Sequence, residues 1–278
     1  MLEEAKASAI YIRPSRGWRL PPIRDIWAYR ELLYFLVWRD LKVRYKQTVL
    51  GILWAIIQPF FLMVIFSIFF GKLGKIPSEG IPYPIFTYVA LLPWSYFAQS
   101  LNGCSNSLVG NSHLITKVYF PRLIIPISSV ISGLVDFGIS FSILLVMMYY
   151  YQIFPSLTFL LVPLLILMAM AIALGVGLWL SALNVQYRDI RYATSFLIQF
   201  WFFATPVVYP SSLVHGMWRF FYGLNPMVGV VEGFRRALLG KGQILNLMFA
   251  ISIIVILFLI ITGTLYFQRM ERRFSDIV

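Results

Sequence analysis

Charge is what this chain has least of. Asp, Glu, Lys and Arg make up 12% of its 278 residues, about half of the ~25% that a soluble domain carries. Hydrophobic types make up 60%, and the mean hydropathy is +0.80. So little charge cannot hydrate the surface of a 32.1 kDa globule. A soluble enzyme or binding module is excluded, and an integral membrane protein remains, because a lipid-facing surface needs no charge. Cysteine is nearly absent too. A single Cys104 excludes a disulfide framework within the chain and any CxxC metal site, and it reads as a small buried residue. Histidine is represented by His113 and His215 alone, which the topology below puts on opposite faces of a membrane. There is no carboxylate pair within an apolar run, no HExxH, no GxSxG and no GxxxxGK[ST]; Leu239-Gly240-Lys241-Gly242 falls short of a P-loop. Thus no catalytic residue, metal site or resident cofactor is expected. If ATP drives the protein, another chain must bind it and its Mg.

What is present is hydrophobic length. About 20 apolar residues are needed to cross ~30 Å of hydrocarbon. Six stretches qualify: Leu50–Phe70, Pro84–Cys104, Leu123–Tyr151, Leu157–Leu183, Ala193–Pro210 and Ile244–Phe267. Asp136 is the one charge among them. An even number of spans puts both termini on one side. The net charge of +12 would suggest nucleic acid in a soluble protein; here it orients the spans. With the termini inside, seventeen Lys and Arg fall in cytoplasmic segments, ten of them before Leu50, against six outside. That is the positive-inside bias of a multi-pass protein with cytoplasmic termini. The first 49 residues have Arg13, Arg16, Arg19, Arg24, Arg30 and Arg39 spread through them. They lack the uninterrupted apolar stretch of a signal peptide and are expected to stay in the cytoplasm.

The segments between spans are informative. Ile26–Val49 reads as an amphipathic helix. Leu33, Val37, Leu41 and Tyr45 share one side, while Arg39, Lys42 and Lys46 share the other. Such a helix is expected along the inner membrane surface, as an anchor that also meets headgroups or a partner. Ser105–Arg122 is a cytoplasmic loop in which Ser112-His113-Leu114-Ile115 opens a short helix limited by Pro121. Either it is a plain connector or it is a projecting element through which a soluble motor could push. Asn184–Tyr192, with Arg188 and Asp189, is the second cytoplasmic loop. Ser211–Gln243 faces outside yet is rich in Trp218, Phe221, Tyr222 and other apolar residues. Asn225-Pro226 divides it into two pieces too short to span, and Arg219, Arg235 and Arg236 oppose deep insertion. Two short re-entrant helices in the outer leaflet, forming a cap or a gate, fit both facts. Aromatic residues make up 17%. Many are needed for interfacial belts and lipid packing. Trp54, Phe61, Phe97 and Trp201 are candidates to line a conduit, since rings stack on the apolar faces of sugars without capturing them. Asp136 must be paired, neutral or wet; a structural hydrogen bond and a coupling role both remain open.

The run Arg39-Asp40-Leu41-Lys42-Val43-Arg44-Tyr45-Lys46-Gln47-Thr48-Val49-Leu50-Gly51-Ile52-Leu53-Trp54-Ala55-Ile56-Ile57-Gln58-Pro59 resembles the start of the ABC-2 type permeases that export polysaccharides, the O-antigen and teichoic acid exporters. Leu183–Ile190, Thr205–Pro210 and Asn225-Pro226 resemble that family as well, from about Trp27 onward. The resemblance implies residues 1–49 as a cytoplasmic arm with an interface helix and residues 50–278 as an ABC-2 transmembrane domain. It implies a homodimer with a channel at or near its interface, in a bacterial inner membrane. Two soluble ABC ATPase subunits would dock at Ser112, His113, Leu114, Ile115, Lys117, Arg188 and Asp189. Trp218, Phe221, Tyr222, Asn225 and Pro226 would belong to outer gate helices. The substrate would be a glycan on undecaprenyl pyrophosphate, whose headgroup Arg39, Lys42, Arg44 and Lys46 could receive. Three rivals stand beside this: an ion-coupled carrier using Asp136, a membrane-embedded glycan-processing enzyme, and a non-transporting scaffold.

Overall fold

The computed structural model describes residues 23–46, 51, 53–155, 157–214, 222–240 and 247–277. Among these residues the chain is all-helical. Its helices are α1 (Ile23–Ala28), α2 (Arg30–Lys46), α3 (Leu53–Phe66, continued as a π-helix over Ser67–Leu73), α4 (Tyr83–Gly110), α5 (Ser112–Lys117), α6 (Ile124–Tyr150), α7 (Val162–Gln186, preceded by a 3₁₀ turn at Leu157–Leu161), α8 (Ile190–Phe203), α9 (Pro226–Leu239) and α10 (Leu247–Ile277). Four stretches are long and apolar enough to cross a membrane: Leu53–Leu73, Ile124–Tyr150, Leu157–Gln186 and Phe249–Glu271. With α4, whose 28 residues extend for about 42 Å, they make a multi-pass membrane protein. Helix α8 has 14 residues, about 21 Å.

The most enclosed element is α4. Every residue from Ile85 to Trp94 is buried, and α4 packs along α3, α6, α7 and α9. A main core of Tyr88, Phe97, Leu101, Leu144, Leu165, Ile172 and Phe234 surrounds it. A second cluster joins Leu36 of α2, Leu108 of α4, Ile115 of α5, Ile124 of α6, Ala182 of α7 and Phe267, Met270 and Phe274 of α10. That cluster puts α2, α5 and the last turns of α10 at one end of the bundle. Helices α7 and α10 meet closely: a methyl on Gly263 would fall 2.2 Å from the Gly175 carbonyl oxygen. Trp179 and Tyr266 stack beside this contact with centroids 4.3 Å apart.

The helix ends differ from those expected, each for a local reason. The second stretch runs past Cys104 to Gly110 because the two serines beyond Cys104 are satisfied within the helix bundle: Ser107 Oγ donates to the Cys104 carbonyl (2.7 Å) and Ser105 Oγ meets Thr194 Oγ1 (3.1 Å). The fifth starts at Ile190 and stops at Phe203, since Pro206 offers no N–H and disfavours helix at Thr205. The last continues beyond Phe267 because Met270 and Phe274 are buried in the second cluster. The N-terminal helix is broken at Tyr29, and its faces are not divided as expected. Leu33, Val37, Leu41 and Tyr45 are half-buried, and α2 lies along α6. The opposite side carries exposed Tyr34, Phe35, Trp38 and Val43 as well as Lys42 and Lys46. Apolar residues on both faces suit a helix pressed between a bundle and an interfacial layer.

Candidate functional site

Asp136 is not isolated. It lies on α6 about 18 Å along the axis from Ile124. One carboxylate oxygen accepts from Arg44 Nη1 and from Gln99 Nε2 (2.9 Å), and the other accepts from the Tyr45 hydroxyl. Three elements therefore converge on one carboxylate: the end of α2, the middle of α4 and the middle of α6. The Asp136 side chain is 10% exposed and that of Arg44 33%. Burial, and then the bond to Asp136, push the Tyr45 phenol above its usual range, so it stays a donor. Next to the knot, Ser140 Oγ donates to the Ala55 carbonyl (2.8 Å), which fixes the first turn of α3 to α6.

A line of carboxamides continues from Gln99 toward the α5 end. Asn106 Nδ2 donates to the Asn102 carbonyl (2.9 Å) and to Asn102 Oδ1 (3.0 Å). Asn184 Nδ2 of α7 donates to the Ser105 carbonyl (3.0 Å) and to Asn106 Oδ1 (3.2 Å). Beyond it, α5 stands on the second cluster. Ile115 is buried and Leu114 half-buried, so these two fasten the helix. His113, Thr116 and Lys117 are exposed, as are Arg188 and Asp189 in the other connection at this end. The chain after α5 is held by α10: Arg122 N donates to Glu271 Oε1 (3.2 Å), and Arg122 Nη1 donates to the Glu271 carbonyl.

A second lock forms around Asn225. Its Oδ1 caps α9 by accepting from Met227 N (3.0 Å) and also accepts from Trp201 Nε1 (2.7 Å). Its Nδ2 donates to the Ala204 carbonyl and to Thr205 Oγ1, both at 3.0 Å. Asn225-Pro226 and Thr205-Pro206 thus make one joint, in which the carbonyl left free where α8 ends is satisfied by the residue that starts α9. Since Trp201 packs edge-on to Phe97 (5.0 Å), this joint sits against the middle of α4. From there α9 is buried along most of its length and ends at Gly240, whose φ of 70° favours glycine. Arg235, one of the arginines that oppose deep insertion, is enclosed by protein and 2% exposed. The fold accommodates it by supplying Glu232 (2.9 Å), the carbonyls of Val207 (3.0 Å) and Tyr209 (3.3 Å), and the face of Phe86, 3.9 Å from the guanidinium carbon. Burial lowers the Arg235 pKa, and Glu232 opposes that. Tyr222 donates to the Tyr209 hydroxyl (3.2 Å), and burial pushes its phenol up.

Comparison with known proteins bears on what these locks serve. The model of the ABC-2 type transporter family matches residues 31–239. The chain belongs to the ABC-2 type transporter family. The O-antigen export system permease protein RfbA of Myxococcus xanthus is 34% identical over 216 residues, covering 77% of this chain and 82% of that protein. A protein of the same name from Klebsiella pneumoniae is 29% identical over 251 residues, covering 89% and 95%. The polysialic acid transport protein KpsM of Escherichia coli is 23% identical over 206 residues, covering 72% and 78%.

In this ABC-2 chain the residues singled out from sequence separate into groups. Trp54 and Phe61 are exposed on α3. Phe97 is fully enclosed, and Trp201 is half-buried and tied to Asn225. Lys42 and Lys46 are exposed; Arg39 is paired with Asp40 (2.7 Å), and Arg44 is engaged with Asp136. Trp218 and Phe221 lie outside the described residues. The Arg44–Asp136 and Gln99–Asp136 contacts were not foreseen. The available signal was Gln99, a carboxamide inside an apolar run, but its partner is far away in sequence. Among the described residues no group of three His, Cys, Asp or Glu could hold a metal.

Proposed function

We propose that this chain is the membrane-spanning permease subunit of an ATP-driven exporter that moves a lipid-linked polysaccharide, O-antigen or a similar surface glycan, across the bacterial inner membrane. The observation that carries this is its similarity along most of its length to permeases named for O-antigen export. In this reading α3, α4, α6, α7, α8 with its extended continuation, and α10 are six spans. The Asn225-Pro226 joint, held at the middle of α4, supports a re-entrant pair that dips in from outside and returns as α9. The grouping of α2, α5 and the end of α10 in one cluster supports cytoplasmic placement of both termini. Two soluble ATPase subunits, which would bind ATP and Mg, dock at the exposed side of α5 and at Arg188 and Asp189. A second copy packs against α3 and α8, whose exposed Trp54, Phe61, Phe196 and Phe200 are otherwise uncovered. The substrate is carried on undecaprenyl pyrophosphate, and the protein itself catalyses no reaction.

A carrier coupled through Asp136 is the weaker reading, because a carboxylate held by Arg44, Tyr45 and Gln99 is poorly placed to bind and release an ion. The test is a deletion strain with complementation. Export of the surface glycan should fail without this chain, return with it, and persist with Asp136→Asn if the complex still assembles. Export unaffected by the deletion would refute the proposal, and export that tracks an ion gradient but not ATP would favour the carrier.

A further inference from the structure

The carboxamide line on α4 has a chemistry that packing does not explain. Above it α4 is enclosed from Ile85 to Trp94. Lower down, Gln99 and Asn102 are exposed and Asn106 is half-buried. Spacings of three and four put all three on one face. Their neighbours Ser100, Leu101, Cys104 and Ser105 are buried. The helix therefore turns to the surface the positions that carry amides.

Gln99 and Asn102 keep unused capacity, while Asn106 donates to Asn102 and accepts from Asn184. An amide side chain offers two N–H donors and an oxygen acceptor. Gln99 spends one N–H on Asp136, and its Oε1 accepts no bond among the described residues. Asn102 accepts from Asn106 through Oδ1, while its amino group donates none among the described residues. Such groups facing acyl chains would cost several kcal/mol each. This face is accordingly turned to water or to a polar partner. Gln99 stands about 16 Å up α4 from Gly110. The line thus begins at the α5 end and reaches into the bundle, where the Arg44–Asp136 pair closes it. Helix α8 borders one side, held by the Ser105–Thr194 contact.

We propose, resting on the exporter reading above, that Gln99, Asn102 and Asn106 form one wall of a hydrated groove that receives the substrate's first sugars and hydrogen-bonds their hydroxyls. The occupant follows from the wall. Neutral groups that both donate and accept match a hydroxylated chain better than an ion or an acyl chain. Steps of three and four residues space them about 4.5–6 Å along the axis, on the scale of one sugar ring. A fixed ladder of weak, interchangeable bonds lets a polymer advance without being trapped.

The test uses the complete transporter in its native membrane, with Gln99→Cys and Asn102→Cys introduced singly; buried Cys104 remains as an unreactive internal control. A water-soluble methanethiosulfonate is the probe. Both cysteines should label about tenfold faster than Leu101→Cys, and labelling should slow severalfold in cells that are making the glycan compared with cells blocked in its synthesis. Gln99→Leu and Asn102→Leu should each reduce export about fivefold, roughly the loss of one hydrogen bond, while Asn102→Ser retains more. Labelling confined to lipid-soluble reagents would overturn the proposal. So would an Asn102→Cys disulfide with a second copy, which would make this face a subunit interface. Full export by both leucine variants would also overturn it. If the deletion strain itself exports normally, the exporter reading has failed instead.

Discussion

Asp136 shows what one residue costs and contributes. In an apolar helix a bare carboxylate would be prohibitive; here three donors from two other helices meet it. Truncating one member of such a pair leaves the other desolvated, at about 3–5 kcal/mol when fully buried, and less here because Arg44 keeps a third of its side chain exposed. Asp136→Ala should therefore lower the melting temperature of the purified protein, and Arg44→Met combined with Asp136→Leu should recover much of the loss. If the double variant is no more stable than Asp136→Ala, the knot is not a pair in the sense argued. Asn225→Ala removes two accepted and two donated bonds, so it should cost about 1–3 kcal/mol, more than Trp201→Phe, which removes one. Detergent melting curves of the two variants check that order. At this scale the sequence was partly legible. Asn225-Pro226 stood out as a break, but nothing in its spacing said that it closes on Thr205-Pro206. Asp136 stood out as a charge, but Arg44 is separated from it by 92 positions.

At the scale of elements, hydropathy identified the helices and misjudged where they stop. Ends are set locally and by partners: α10 runs on because Phe274 is buried, and α8 stops ahead of Pro206, where Asn225 takes the Ala204 carbonyl. Amphipathicity misled for α2, whose side away from α6 is aromatic as well as basic. Helix α5 joins a buried face to an exposed one. Ile115→Asp should destabilise the second cluster and lower the yield of folded protein. Substituting Thr116 and Lys117 with Asp should leave melting unchanged while reducing recovery of the ATPase with the permease. A pull-down beside a melting curve separates the two effects. Gly263→Ala places a methyl 2.2 Å from the Gly175 carbonyl oxygen, so the helices must part, at a cost of about 1–3 kcal/mol.

For the whole molecule, scarcity of charge and six apolar runs made an all-helical membrane protein legible, and the motifs after Arg39 pointed to the family that the comparisons show. The interior arrangement was not legible, because it is built from contacts between helices distant in sequence. Two hydrophobic clusters, one around α4 and one joining α2, α5 and α10, give the chain a main body and a separately packed end. The exporter proposed above needs a partner ATPase, since the sequence carries no P-loop motif. The most direct test is gentle purification of the tagged permease from its host membrane, followed by mass spectrometry and a quantitative ATPase assay. A soluble P-loop ATPase recovered near one-to-one, with hydrolysis lost when Thr116 and Lys117 are changed to Asp, is the expected result. Absence of any such ATPase after in-cell cross-linking, with glycan export intact, would refute an ATP-driven exporter.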